Sequence, residues 1–476
     1  IVLNASPVVQ LDPNGVLEID AGEFADDGIA DTFDVQLAPD DADTINVSVN
    51  GTVIYTGSVA DVQSIQINGS GDADQLTLDA AVLDRVSVAF DPGSPTECRD
   101  SVLLSASAGG SWQAVSVDLT SAGGDVHLTR NDGVLSAALS FTGTVDVIDS
   151  LAVADRTLSL GDLTSVIITG QGGGMEVQSA VGTLLVVHAD QAAWEIDASG
   201  GLLQFEGTLE LLSLDARAEN LTVNGTLPAT AGGLAFDASD DFQLEALAYL
   251  ITSEHSITIQ AEQITLAGTI EARDGGDVFA TAGENGTLRL SGLIDASDER
   301  ADGTGGRVYL DGGQVILSGT AEVNVSGTTG GGEIQIGGSR DDDATAAPST
   351  TLSFIGPGTR LIADALQSGD GGQVVLWSDD STLLAGTISA RGGASSGNGG
   401  SIEVSGKQRF WFDGQIDTSA SHGQAGTLLM DPITINIVAG APGSGTLDEE
   451  LTLSDPAILE AVLDAGGNTL SVGQLQ

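Results

Sequence analysis

Carboxylates are the side chains of this sequence best able to do chemistry. There are 68 Asp and Glu against 14 Lys and Arg, for a formal net charge of −54. Several acids cluster: Asp72 and Asp74 in Gly69-Ser70-Gly71-Asp72-Ala73-Asp74, the run Asp341-Asp342-Asp343, Asp40-Asp41-Ala42-Asp43, and Asp379-Asp380. Two chemistries use carboxylates grouped in this way. Calcium takes six to eight oxygen ligands from acidic loops, and glycoside hydrolysis needs two carboxylates facing each other across a groove. The Gly69–Asp74 run partly resembles the Gly/Asp calcium nonapeptides of β-rolls, although it occurs once and repetition is what builds those sites. The expected metal ligands are therefore Asp72, Asp74, Asp341, Asp342 and Asp343, with calcium as a stiffening ion and no cofactor required. Among so many acids, neighbouring pairs arise by chance. Solvated corners account for them better than a catalytic pair, and no catalytic residue is assigned.

The other reactive side chains are sparse. His127, His188, His255 and His422 lie far apart in sequence and none is near Cys98, which argues against a transition-metal site. No strand–turn–helix motif marks a nucleophile. Aromatic residues make up only 4% of the chain, but Trp377 and Trp411 fall in neighbouring repeats and are the candidate binding residues, for a carbohydrate or a protein partner. Trp411 sits between Phe410 and Phe412, so it faces outward if those two face inward.

The charge also excludes partners. Phosphate recognition needs clustered Lys and Arg, and Lys407 is the only lysine, so nucleic acid is not an expected ligand. An anionic lipid surface is disfavoured for the same reason. No apolar run approaches the roughly 18–20 residues of a membrane span. A single cysteine rules out an intrachain disulfide but not an oxidising compartment. The first residue is Ile1, and a processed product or a fragment is the expected origin.

The elements that must position these residues are strands. Leu384–Pro432 contains one short phrase twice: Gly386-Thr387-Ile388-Ser389-Ala390 leads to Gly400-Ser401-Ile402-Glu403-Val404, and Gly414-Gln415-Ile416-Asp417-Thr418 leads to Gly426-Thr427-Leu428-Leu429-Met430. Apolar and polar residues alternate within each phrase, as in a half-buried strand, and Gly, Ser, Asn and Asp fill the gaps as turns. The second phrase also begins at Gly306, Gly332 and Gly372. A period near 26 residues without intervening helices predicts a parallel β-helix. The spacing from Gly332 to Gly372 is longer than the others and contains the polar insertion 340–351. Residues 266–438 are expected to be the regular β-helix, and 65–265 irregular coils. Residues 1–64 are read as an N-terminal β region, a hairpin, a small sandwich or a cap, where Asn50-Gly51 between alternating runs signals a hairpin. Residues 439–476 are expected to hold a short helix, near Ser454–Leu463, and a last strand. Phe242–Leu250 is expected to form one helical turn.

The stretch Gly400–Gln476 resembles the filamentous haemagglutinin family of large bacterial exoproteins. The resemblance is carried by Gly400–Val404 ending in Ser405-Gly406-Lys407, the aromatic Arg409-Phe410-Trp411-Phe412 before Asp413-Gly414, and Gly423-Gln424-Ala425-Gly426-Thr427-Leu428-Leu429-Met430-Asp431-Pro432. It implies an all-β, right-handed parallel β-helix, secreted or held on the surface of a Gram-negative-type bacterium, serving adhesion or forming a fibre. The family's amino-terminal secretion domain carries an Asn-Pro-Asn-Gly motif. Leu11-Asp12-Pro13-Asn14-Gly15 only brushes past it, which leaves the secretion route open. The expected function is thus a structural module of a surface adhesin or extracellular fibre. Expected partners are further copies or segments of the same fibre, and host or matrix glycans. The alternative is a carbohydrate-binding or polysaccharide-degrading β-helix.

Overall fold

In a stacked solenoid each strand position recurs one coil later, so a column of like residues forms wherever the register holds. The computed structural model describes residues 7–20, 30–70, 72–93, 100–106, 112–120, 122–130, 135, 138–142, 145–171, 174–179, 182–187, 192–338, 350–430, 436–438 and 469–471. Two compact units divide the chain, Ile1–Glu219 and Asn220–Gln476. The fold is all-β: a parallel β-solenoid in the second unit and a mixed sheet in the first.

The second unit is built from three parallel ladders. Ladder I runs through Ile257–Ala261, Val278–Ala282, Arg307–Asp311, Glu333–Ile336, Gln373–Ser378, Ser401–Gly406 and Thr427–Met430. Ladder II runs through Gln263–Leu266, Thr287–Leu290, Gln314–Leu317, Leu352–Ile355, Ser381–Leu384 and Arg409–Phe412. Ladder III runs through Tyr249–Ser253, Thr269–Arg273, Leu293–Asp295, Glu322–Asn324, Arg360–Ile362, Thr387–Ser389 and Gln415–Asp417. The alternating pattern sets the core. In ladder I, Val278, Val308, Ile334, Val374 and Ile402 stack in register and are buried. In ladder III the column is Ile270, Ile294, Val323, Leu361 and Ile388. Each such side chain contributes roughly 1.5–3 kcal/mol by leaving water. Leu428 continues the first column but is 37% exposed, because no further strand among the described residues pairs with Thr427–Met430 on its far side.

Glycine closes each coil. The N–H groups of Gly306, Gly332, Gly372, Gly400 and Gly426 donate to the carbonyls of Ala296, Val325, Ala363, Ala390 and Thr418 at 2.7–2.8 Å. Each bond joins the end of ladder III to the start of ladder I within one coil. The same glycines stack on one another so closely that a Cβ on Gly372 would lie 2.0 Å from the carbonyl oxygen of Gly332, and one on Gly400 would lie 2.0 Å from that of Gly372. No side chain fits there.

The first unit also has parallel ladders. One joins Val16–Asp20, Ser64–Asn68, Ser87–Asp91 and Leu139–Thr142. Another joins Thr32–Ala38, Gln75–Asp79, Asp100–Ser105 and Val145–Asp149. Antiparallel pieces interrupt them. Asp41–Val49 and Thr52–Ser58 form the expected hairpin, with Asn50 and Gly51 at φ +51 and +73, as its two-residue turn requires. Trp112–Thr120, Gly123–Arg130 and Leu139–Thr142 form a meander, and Ser165–Gln171, Gly174–Ser179 and Gly182–Val187 form a second. Antiparallel pairing thus reaches well beyond residue 64. A one-turn helix, Ala80–Leu83, is capped by Asp79, which accepts from the Ala81 N–H at 3.0 Å.

The helical turn expected over Phe242–Leu250 is corrected. Phe242 and Leu244 end the strand Leu234–Leu244 and pair in register with Ile264 and Leu266, and Tyr249 opens the next strand. Two inward positions in ladder II outweigh the local helical spacing. The helix expected near Ser454–Leu463 lies outside the described residues. Asn436–Val438 pairs in parallel with Thr469–Ser471.

Candidate functional surfaces

The carboxylate of Asp74 is drawn into its own turn. Asp74 ends the corner that begins at Gly69, and the strand Gln75–Asp79 follows. Its Oδ2 accepts from the Ser70 N–H at 2.5 Å and its Oδ1 from the Asp31 N–H at 3.0 Å, while the Ser70 hydroxyl donates to both oxygens. Burial raises the Asp74 pKa, and the N–H bonds from Ser70 and Asp31 oppose that rise. Asp72 is partly exposed, and its N–H donates to Ser70 Oγ at 3.3 Å. Asp341, Asp342 and Asp343 lie outside the described residues. Among the described residues no three His, Cys, Asp or Glu side chains converge as a metal site.

One acid that sequence reasoning passed over joins this corner. Asp100 opens the strand Asp100–Ser105, and its Oδ1 accepts from the Asp74 N–H at 2.8 Å. The signal was present, because Asp74 and Asp100 are 26 positions apart, the period visible later in the chain.

The two tryptophans lie on different ladders of the second unit. Trp377 points away from the core on Gln373–Ser378 and is half-buried. The Lys407 ammonium lies 4.9 Å from its ring centroid and pairs with Asp379, so the only lysine covers one face of the ring. Trp411 does face outward, since Phe410 and Phe412 are buried with their rings stacked at 6.3 Å. Its indole nevertheless packs on an apolar column of Ile316, Phe354 and Leu383, with Leu352 beside it. Neither ring is presented as a bare platform.

A polar groove of about 680 Å³ runs beside the closing glycines. Its floor is Gly332, Gly372, Gly400 and Gly426. One rim carries Gln373, Ser401 and Thr427, the other Asp370, Asn398 and Gln424. The second rim is ordered by its own side chains: Asp370 Oδ1 accepts from the Asn398 N–H at 2.6 Å, and Asn398 Oδ1 from the Gln424 N–H at 2.9 Å. Donors and acceptors therefore recur along it once per coil, about 4.8 Å apart, and Arg307, Glu333 and Asp370 add charge to its lining. Among the described residues no helix is long and apolar enough to cross a membrane.

These features define an all-β protein whose second unit is a parallel β-solenoid. No family model matches the chain, and no curated protein matches it. Among solved structures it is similar to the crystal structure of the HMW1 secretion domain from Haemophilus influenzae, with a TM-score of 0.39 and 14% identity, covering 90% of this chain and 99% of that one.

Proposed function

We propose that this chain is a secreted, non-enzymatic structural module of a large bacterial surface adhesin or extracellular fibre. The observation that carries this reading is the unbroken three-ladder stack from Tyr249 to Met430, in which polar side chains are used to join coils. Arg391 pairs with Asp364 on the coil before it, Arg360 with Glu322, and Arg307 with Asp277. The resemblance of Gly400–Gln476 to filamentous haemagglutinins supports the same reading. The charge of −54 keeps such modules soluble and apart. Among the described residues no strand pairs with the far side of Thr427–Met430, an arrangement that suits continued stacking, on further coils or further copies. The test is to express the chain with its secretion machinery and image the cell surface by electron microscopy while measuring attachment to host cells and matrix. Surface display with binding supports the reading. Retention in the cytoplasm, or turnover of a polysaccharide, overturns it.

The glycine-floored groove favours a second reading, in which the module holds a polysaccharide along its length. A glycan array decides this. Binding that is lost on Gln373→Ala and Gln424→Ala, exposed residues of the groove lining, with the fold intact, supports it, and a blank array removes it.

A further inference from the structure

The glycine-floored groove carries its charges unevenly. Its first rim runs through Arg307, Glu333, Gln373, Ser401 and Thr427, one residue from each successive coil. Arg307 is engaged with the coil before it. Its N–H and its Nη2 donate to the two carboxylate oxygens of Asp277 at 2.8 and 2.7 Å, and its guanidinium lies 5.9 Å from the Phe279 ring centroid. Glu333 adds to the field around Arg307 without pairing with it. Among the described residues neither Glu333 nor Asp370 forms an ion pair with Lys or Arg. The Gly331 N–H donates to the Asp370 carbonyl at 3.1 Å, so Asp370 stacks on Gly331, and Gly331-Gly332 crosses the floor to Glu333. The groove thus presents two uncompensated carboxylates, one on each rim.

Charge and spacing together select an occupant. In a chain of net charge −54, an anionic polymer is repelled from such a groove and a cationic one is drawn in. Polar groups recur along the groove about every 4.8 Å. An extended polypeptide laid along it would repeat its side chains on one face about every 6.6 Å, out of step with the coils. A pyranose chain joined through opposite ring carbons, as in a β-1,4 linkage, advances by close to one coil per sugar. Each ring then meets one coil.

We propose that the groove binds a β-linked polysaccharide with free amino groups, a deacetylated hexosamine chain, whose ammonium groups lie between Glu333 and Asp370. Ring hydroxyls then face Gln373, Ser401 and Gln424. This rests on the polysaccharide reading of the groove and adds the charge of the sugar to it.

The test is isothermal titration calorimetry of the full chain at pH 5.5, where sugar amines are protonated. The probes are β-1,4-linked hexamers of glucosamine, N-acetylglucosamine, glucose and glucuronic acid. In 20 mM NaCl the glucosamine hexamer is expected to bind about tenfold more tightly than the N-acetylglucosamine hexamer, as two exposed ion pairs allow. In 0.5 M NaCl that preference should fall below about twofold. The double variant Glu333→Gln, Asp370→Asn should lose it at low salt as well, and the new amide oxygen can still accept the Asn398 N–H. A preference that survives in the double variant comes from the overall charge and overturns the proposal. So does equal or tighter binding of any of the other three hexamers, a ranking on the wild type that needs no variant. Either result leaves the polysaccharide reading standing, whereas no binding of all four hexamers overturns both.

Discussion

An ion pair buried in the first unit gives the sharpest test of how its core is assembled. Arg156 occupies an inward position, in register between Val115 and Trp194. Asp149 occupies another, between Leu104 and Val187. The two side chains pair with almost no exposure. Asp149 Oδ1 also accepts from the Leu151 N–H at 2.8 Å, Arg156 Nη2 donates to the Leu151 carbonyl at 2.5 Å, and the guanidinium lies 5.6 Å from the Trp194 ring centroid. Arg156→Met keeps the length and removes the charge. It leaves a buried carboxylate without its main partner, at a cost of about 3–5 kcal/mol, a large fraction of the roughly 5–15 kcal/mol that holds a domain folded. Asp149→Leu should cost a similar amount by stranding the guanidinium. The double variant removes both charges and sets a leucine side chain between Leu104 and Val187, completing an aliphatic column. It should fall within about 1 kcal/mol of the wild type, or exceed it. Urea unfolding followed by tryptophan fluorescence measures all three, with Trp377 and Trp411 replaced by Phe so that Trp112 and Trp194 report on this unit. A single variant costing under about 1 kcal/mol, or a double variant losing the sum of both, would refute the argument.

Gly372→Ala places a Cβ 2.0 Å from the Gly332 carbonyl oxygen and should destabilise the second unit by more than about 2 kcal/mol, whereas Gly319→Ala, at φ +66 with open space around it, should cost about 1 kcal/mol. Urea midpoints of the two variants check the ranking. Phe410→Ala empties an inward site of ladder II and should cost about 3–5 kcal/mol, read from the same unfolding curves. Asn50→Ala strains the hairpin turn and removes the bonds to the Thr32 N–H and Asp31, so a loss of about 1–2 kcal/mol is expected, along with faster hydrogen exchange in Asp41–Ser58. With a net charge of −54, raising NaCl from 10 mM to 0.5 M should raise the thermal midpoint, and a midpoint that falls or stays level would count against self-repulsion.

The second unit was legible because one rule governs it. Val308, Ile334, Val374 and Ile402 recur at the same inward position after the glycines that precede them, so period and register could be counted along the chain. The first unit obeys the same alternation, but its strands pair in two ways. Alternation tells which face of Gly123–Arg130 is buried, not whether its neighbour runs parallel or antiparallel. Only the Asn50-Gly51 turn, whose backbone demands are local, marked an antiparallel pair in advance. The direction of Trp411 followed from its neighbours, whereas its packing on Ile316, Phe354 and Leu383 depends on residues far apart in sequence. Asp100 and Arg156 were hidden for a related reason. A charged residue in an inward column looks like any other acid or base until the column is assembled.

The glycine bonds that close each coil have a consequence for how such a chain can change over time. The hydrogen bond from Gly400 to Ala390, and its counterpart from Gly372 to Ala363, seals the backbone circuit at the neck of an excursion, 391–399 in one coil and 364–371 in the other. What lies beyond the neck can change only together with the excursion stacked on it, since the two are bonded at Ala365 to Arg391 and at Ser395 to Gln367, while the ladders keep their register. Each coil thus separates the part that bears structure from the part that meets the outside. The loops form a row on that scaffold, tied to their neighbours by bonds such as those from the Asn398 N–H to Asp370 and from the Gln424 N–H to Asn398, so a change in one is felt by the next.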